Sequence, residues 1–338
     1  MTMALQELPN DMVRGLLAMK LAAPGVPVLG QPLAGGVASD IWRATLPVGE
    51  VCIKRALPKL KVAAEWHVPT ERNIYEARWL RLAASVVPGA VPEVLGQDAE
   101  TGTLVIRYLP PEDHPVWKTR LLEGDADPAF AAEVGRRLAC IQSASTCDPS
   151  VPEQFPATAI FLAIRLDPYL LATGEAHPDL GMQLKALVHI TSTTRVALVH
   201  GDVSPKNILC GPQGPMFLDA ECAWWGDPAF DIAFCLKHLM LKCLWKPDSE
   251  PDYLACFTAL GEAYLAGATW EPADRLEARA AALLPGLFLA RVDGKSPVEY
   301  VTDEAAKEKV RRVGRALIAR PPRRLADVRL AWEKELRA

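Results

Sequence analysis

The spacing of apolar residues changes period along the chain. Between residues 28 and 109 the apolar residues come in short runs punctuated by Gly and Pro, which is the pattern of strands and hairpins. Ile41-Trp42-Arg43-Ala44 and Val51-Cys52-Ile53-Lys54-Arg55 read as strands joined through Pro47 and Gly49. Val87 to Gly96 reads as a loop and strand, Asp98 to Gly102 as a turn, and Leu104 to Leu109 as a strand that breaks at Pro110-Pro111. One helix interrupts them. It starts at Pro69-Thr70-Glu71, with Thr70 as N-cap, and runs through Ile74, Ala77, Leu80 and Ala83. Beyond residue 110 the helical period dominates, as in Pro128–Thr146, where Phe130, Val134, Leu138 and Ile141 share a face. The helical lobe is interrupted once, by the apolar run Val196–Val199, then Ile208–Cys210, a Gly/Pro turn over 211–215, and Met216–Leu218. From Pro228 onward the pattern is helical again, and the Leu276–Ala290 stretch, broken by Glu277, Arg279 and Pro285, reads as a buried helix pair. The expectation is an α+β fold of two lobes: 1–109, a small antiparallel-sheet lobe, and 110–338, a larger, mainly helical one.

The strand–loop–hairpin at 196–219 carries the chemistry. Val196–Val199 delivers His200-Gly201-Asp202 to a loop that Pro205 keeps from becoming helix, and Asn207 follows five residues after the Asp. The hairpin returns Asp219 to the end that holds Asn207. A base, an amide and a carboxylate in that order are the parts of a kinase catalytic loop and its metal-binding strand. Glu221 lies two residues beyond Asp219 and, if the strand continues, faces the same way. Asp227 is placed to cap the next helix, and Asp231 to hold the catalytic loop by hydrogen bonds.

The first lobe supplies matching parts. Gly35-Gly36 with Ser39 forms a small-residue turn that lets backbone amides approach phosphates. Lys54, at the end of an apolar run, is the candidate phosphate cation, and Glu76 is its candidate partner, with Glu71 the alternative.

Composition narrows the class. The chain has 338 residues, a formal net charge of −4 and no apolar stretch near the ~20 residues a bilayer span requires, so neither a nucleic-acid nor a membrane partner is expected. Eight scattered Cys without a Cys-x-x-Cys pair suit reduced thiols in a cytoplasmic enzyme better than disulfides or zinc.

The His-Gly-Asp loop, the downstream Asp219 and the Gly226-Asp227-Pro228-Ala229-Phe230-Asp231 helix start resemble the aminoglycoside phosphotransferase and choline kinase-like family, which shares the protein-kinase-like fold. The resemblance implies transfer of a γ-phosphoryl group from ATP to a hydroxyl of a small molecule, with Asp202 as catalytic base and Asn207 and Asp219 on Mg2+. It also implies a hinge at Arg107, Tyr108 and Leu109 whose main chain binds adenine. The loop departs from the usual pattern at Val203-Ser204-Pro205-Lys206, so Lys206 either touches the transferred phosphate or is a solvated side chain. A protein kinase is the alternative, but Gly201 replaces the Arg of His-Arg-Asp, and Asp-Phe-Gly and Ala-Pro-Glu are absent. A catalytically weak kinase-like binding protein is the other.

Candidate acceptor contacts are His238, with Lys242 one turn on; Trp224 and Trp225; and the polar cluster Arg291, Asp293 and Lys295. Sugar derivatives, amino-alcohols and aminoglycosides are all acceptors of this class. The cations at 237, 238 and 242 point to a neutral or anionic hydroxyl compound, for example a sugar derivative such as methylthioribose.

Overall fold

The structure is a computed structural model that describes residues 5–33, 39–57 and 71–338. The first lobe is a six-stranded antiparallel sheet, spatial order β1-β2-β3-β4-β6-β5. Its strands are β1 (Gln6–Glu7), β2 (Leu29–Pro32), β3 (Ser39–Leu46), β4 (Gly49–Ala56), β5 (Val94–Asp98) and β6 (Thr103–Arg107). Strand alternation sorts β4 into two faces. Val51 and Ile53 join Met12 and Leu16 of the helix Asn10–Ala18 in an outer core. Cys52 and Lys54 point the other way, into a cavity. The helix Arg72–Val86 packs on that inner side through Ala77, Leu80 and Ala83, which belong to the main core with Leu104 and Ile106 of β6. Thr70, the expected N-cap, lies outside the described residues, as do Gly35 and Gly36.

The second lobe is mainly helical. The long helices Pro128–Ser145, Ala229–Trp245, Glu250–Gly267 and Ala273–Asp293 bury aromatic and aliphatic side chains around Phe230, Phe234, Tyr264 and Phe288. Leu276–Ala290 is one continuous helix rather than a pair; Pro285 is accommodated inside it. No described helix is long and apolar enough to cross a membrane. The segment Leu162–Leu171 winds as a wide π-helical stretch around Pro168 and carries the buried Arg165 to the loop at Gly201 and Asp202.

Two small antiparallel pairs sit on these helices. β7 (Ala197–Val199) pairs with β10 (Trp224–Gly226), Val199 opposite Trp224. β8 (Ile208–Gly211) pairs with β9 (Gly214–Phe217), Ile208 opposite Phe217. The turn between β8 and β9 is tighter than the Gly/Pro content suggested, and Gly214 takes φ +104° to close it.

Candidate active site

A cavity of about 520 Å³ lies between the sheet and the β8–β9 hairpin. Leu33, Ile41, Ile106 and Leu218 form apolar walls, and Lys54, Glu76, Asn207 and Asp219 form its polar floor. A cavity of similar size, about 510 Å³, lies on the outer side of the sheet. Its two charged groups, Arg43 and Glu50, bond each other, so it offers a polar ligand little.

The polar floor is internally matched. Lys54 Nζ lies 2.6 Å from Glu76 Oε1 and 2.6 Å from Asp219 Oδ1. Glu76, not the exposed Glu71, is therefore the partner. Burial works against the Lys54 ammonium, but Asp219, Glu76 and Glu221 outweigh it and hold its pKa above the ordinary value. Burial pushes Glu76 up to about 7, with Lys54 pulling against it. For Asp219, burial is overcome by Lys54 and Lys206, which hold the carboxyl well below its usual range.

Hydrogen bonding fixes the loop around Asp202. Asp231 accepts the backbone amides of His200 at 2.7 Å and Gly201 at 2.8 Å. The Asp202 amide donates to His200 Nδ1 at 3.1 Å, and Asn207 Nδ2 donates to the Asp202 carbonyl at 3.1 Å. Gly201 has φ +83°, and a Cβ there would stand 2.8 Å from the Cys222 carbonyl oxygen, so only glycine suits the position. The His200 ring packs edge-on against Trp79 at 4.6 Å, and burial pushes its pKa down to about 4, which keeps it neutral.

Asp202 is 4% exposed, and its Oδ2 lies 3.0 Å from Arg165 Nη2 and 3.2 Å from Lys206 Nζ. Burial alone would raise its pKa; Arg165 and then Lys206 reverse the sign, leaving a carboxylate. Arg165 Nε also donates to the Gly201 carbonyl at 2.5 Å. The sequence reading missed Arg165, although an arginine inside the apolar run Phe161–Leu166 was a visible signal.

Asn207 and Asp219 meet because Leu218 N–H donates to the Asn207 carbonyl at 2.9 Å, one step beyond the paired ends of β8 and β9. Asp219 has φ +69°, a left-handed backbone uncommon outside glycine. Asn207 spends its amide nitrogen on Asp202, which leaves its oxygen for another ligand. An oxygen from an amide and one from a carboxylate suit magnesium, a hard cation that keeps waters and phosphate oxygens in its shell. Among the described residues no three His, Cys, Asp or Glu side chains converge to hold an ion unaided.

Several expectations are corrected. The strand ends at Phe217, so alternation does not align Glu221 with Asp219. Glu221 is buried and accepts from Arg72 Nε at 2.8 Å. Trp224 is not a substrate contact; it is fully buried in β10, stacked on Phe161 at 4.4 Å. Ser39 is buried at the start of β3 and is not part of the cavity wall. Arg107, Tyr108 and Leu109 do line the cavity. The Arg107 and Tyr108 amides are already bonded to the carbonyls of Glu93 and Glu50. Asp293 is bound by Arg311 at 2.8 Å and by His177 at 2.8 Å, and Lys295 reaches the exposed Asp167 at 3.5 Å. Arg291 alone of that cluster reaches the second cavity.

That second cavity, about 120 Å³, opens beside Asp202. Lys206, His238, Lys242, Arg291 and Tyr300 line it with Asp202. Lys206 belongs to both cavities.

Comparison with known proteins agrees with this layout. The chain is 26% identical over 230 residues to a methylthioribose kinase of Bacillus cereus (strain AH187), covering 60% of this chain and 58% of that protein. It is 28% identical over 226 residues to a methylthioribose kinase of Yersinia pseudotuberculosis serotype O:1b (strain IP 31758), covering 59% and 55%. The matched part is thus less than two thirds of the length of these relatives. Among solved structures, an amicoumacin kinase in complex with AMP-PNP and calcium has the same fold, with TM-score 0.55 and 12% identity over 94% of this chain and 95% of that one. The sequence model of the phosphotransferase enzyme family matches residues 30–276, and the chain belongs to that family.

Proposed function

We propose that the protein is a small-molecule kinase that transfers the γ-phosphoryl group of ATP to a hydroxyl group. On this reading 1–109 is the nucleotide-binding lobe and 110–338 the catalytic and substrate-binding lobe. The observation that carries it is the Lys54 ammonium held 2.6 Å from both Glu76 and Asp219, with Asp202 lining a second cavity that shares Lys206 with the first. Lys54 would bind the nucleotide phosphates, and the 107–109 main chain would meet the base. Asn207 and Asp219 would hold Mg2+, which supplies neutralisation of phosphoryl charge. Asp202 orients the acceptor hydroxyl and takes its proton. A carboxylate held this low is a weak base, and it suffices because phosphoryl transfer depends on positioning and charge neutralisation. Arg165 is a positioning residue that keeps Asp202 ionised and aimed. Eight unpaired thiols suit a reducing compartment, and we place the enzyme in the cytoplasm.

Acceptor-dependent release of ADP from magnesium-ATP, screened over small hydroxyl compounds, tests the assignment. Release above background with one acceptor class is expected. Absence of both nucleotide binding and release would remove the kinase reading.

A further inference from the structure

The second cavity carries more positive charge than the protein itself neutralises. Its two carboxylates are already engaged: Asp202 with Arg165 and Lys206, and Glu299 with Lys118. Lys242 Nζ lies against the stacked rings of Trp245, at 4.2 Å, and Tyr300, at 3.9 Å, and among the described residues it has no carboxylate partner. Arg291 uses one terminal nitrogen on Tyr169 Oη at 3.1 Å and Ser296 Oγ at 3.0 Å. Its Nε and the Tyr300 hydroxyl are buried without a hydrogen bond. Behind the wall, Lys237 is wholly buried, and its Nζ also lacks a hydrogen bond. Buried donors in this number ordinarily have partners.

We propose, resting on the kinase reading, that the acceptor is a small hydroxyl compound bearing an anionic group, a carboxylate or a phosphate. Arg291, Lys242 and Tyr300 bind the anionic end, and Asp202 faces the hydroxyl. A cationic acceptor would meet unmatched cations and no free carboxylate among the described residues. A neutral one would leave the Arg291 guanidinium without a counter-ion and the buried Tyr300 hydroxyl without a partner, a costly arrangement. Burial, aided by Lys118 and Arg291, pushes Lys242 down to about 7, the response of an ammonium deprived of its counter-ion. The cavity is far below the 300–1,000 Å³ of pockets for drug-sized ligands, which favours a compact acceptor over an aminoglycoside.

The test uses the full chain with magnesium-ATP and three classes of acceptor: glycerate and ribose 5-phosphate, glycerol and methylthioribose, choline and kanamycin. The highest kcat/KM is expected with an anionic member, and the first pair separates carboxylate from phosphate recognition. Arg291→Gln should raise KM for that acceptor roughly 30-fold, the effect of losing one partner of a desolvated charge pair. A higher kcat/KM with a neutral or cationic acceptor would overturn the proposal while leaving the kinase reading intact. Calorimetric titration with malonate and inorganic phosphate gives a second readout. Binding weakened roughly 30-fold in Arg291→Gln supports the anion site even if no acceptor is phosphorylated, and the kinase reading fails only if nucleotide binding is absent as well. Binding that is absent, or equal in both proteins, overturns the anion site.

Discussion

The two cavities that share Lys206 handle charge in opposite ways. On the sheet side, the ammonium of Lys54 is claimed by Glu76 and Asp219, and Arg72 by Glu221, so cations and carboxylates are matched inside the protein. On the helical side, Arg291 and Lys242 face a cavity in which both carboxylates are already taken. The first arrangement holds its shape whatever the acceptor is. The second is completed only by something from outside. The contrast separates what makes the reaction general from what makes it selective, and it can be broken at defined points.

The largest effect belongs to Asp202. Asp202→Asn should lower acceptor-dependent turnover by roughly 10²–10⁴-fold while leaving nucleotide affinity nearly unchanged. A near-wild-type rate would show that the base lies elsewhere. Next comes the matched side. Lys54→Ala strands the buried Glu76 carboxylate, and urea denaturation should show a loss of about 3–5 kcal/mol, largely recovered when Glu76→Leu is added to Lys54→Met. A loss below about 1 kcal/mol would mean the pair is not the structural anchor the geometry describes.

Arg165→Gln probes the carboxylate itself. Arg165 holds the Asp202 pKa down, so removing it raises that pKa, and the carboxylate is protonated earlier as pH falls. The acid limb of the pH–rate profile should move to higher pH. An unmoved limb would detach Asp202 from it. The smallest effect is on the unmatched side. Lys242→Met removes a buried charge without stranding a partner, so stability should stay level or rise by up to about 1 kcal/mol. A loss like that of Lys54→Ala would erase the difference between the cavities.

Legibility followed the distance over which information had to travel. Asp202, Asn207 and Asp219 were readable because one short loop and the hairpin after it set their spacing, and Gly/Pro turn signals mark that hairpin. Lys54 was readable as the polar end of an apolar strand. Arg165 was not, because a π-helical stretch around Pro168 brings it to Asp202 from a distant part of the chain. Glu221 was misread because alternation was carried past Phe217, where the strand stops and Asp219 turns left-handed. Trp224 was misread because an aromatic beside an acidic loop looks like a contact, and only its pairing with Val199 shows it to be core.

The mutual engagement of Lys54, Glu76, Asp219, Arg72 and Glu221 also bears on how such a sequence drifts. Three carboxylates and two cations share one buried patch, so changing any one strands another, and the fitness cost falls on folding before it reaches catalysis. These five positions should change together or not at all. Arg291 and Lys242, bound to no carboxylate of their own chain, can be replaced one at a time. New acceptors would therefore arise on the helical side, by single steps, beneath a matched cavity that stands still.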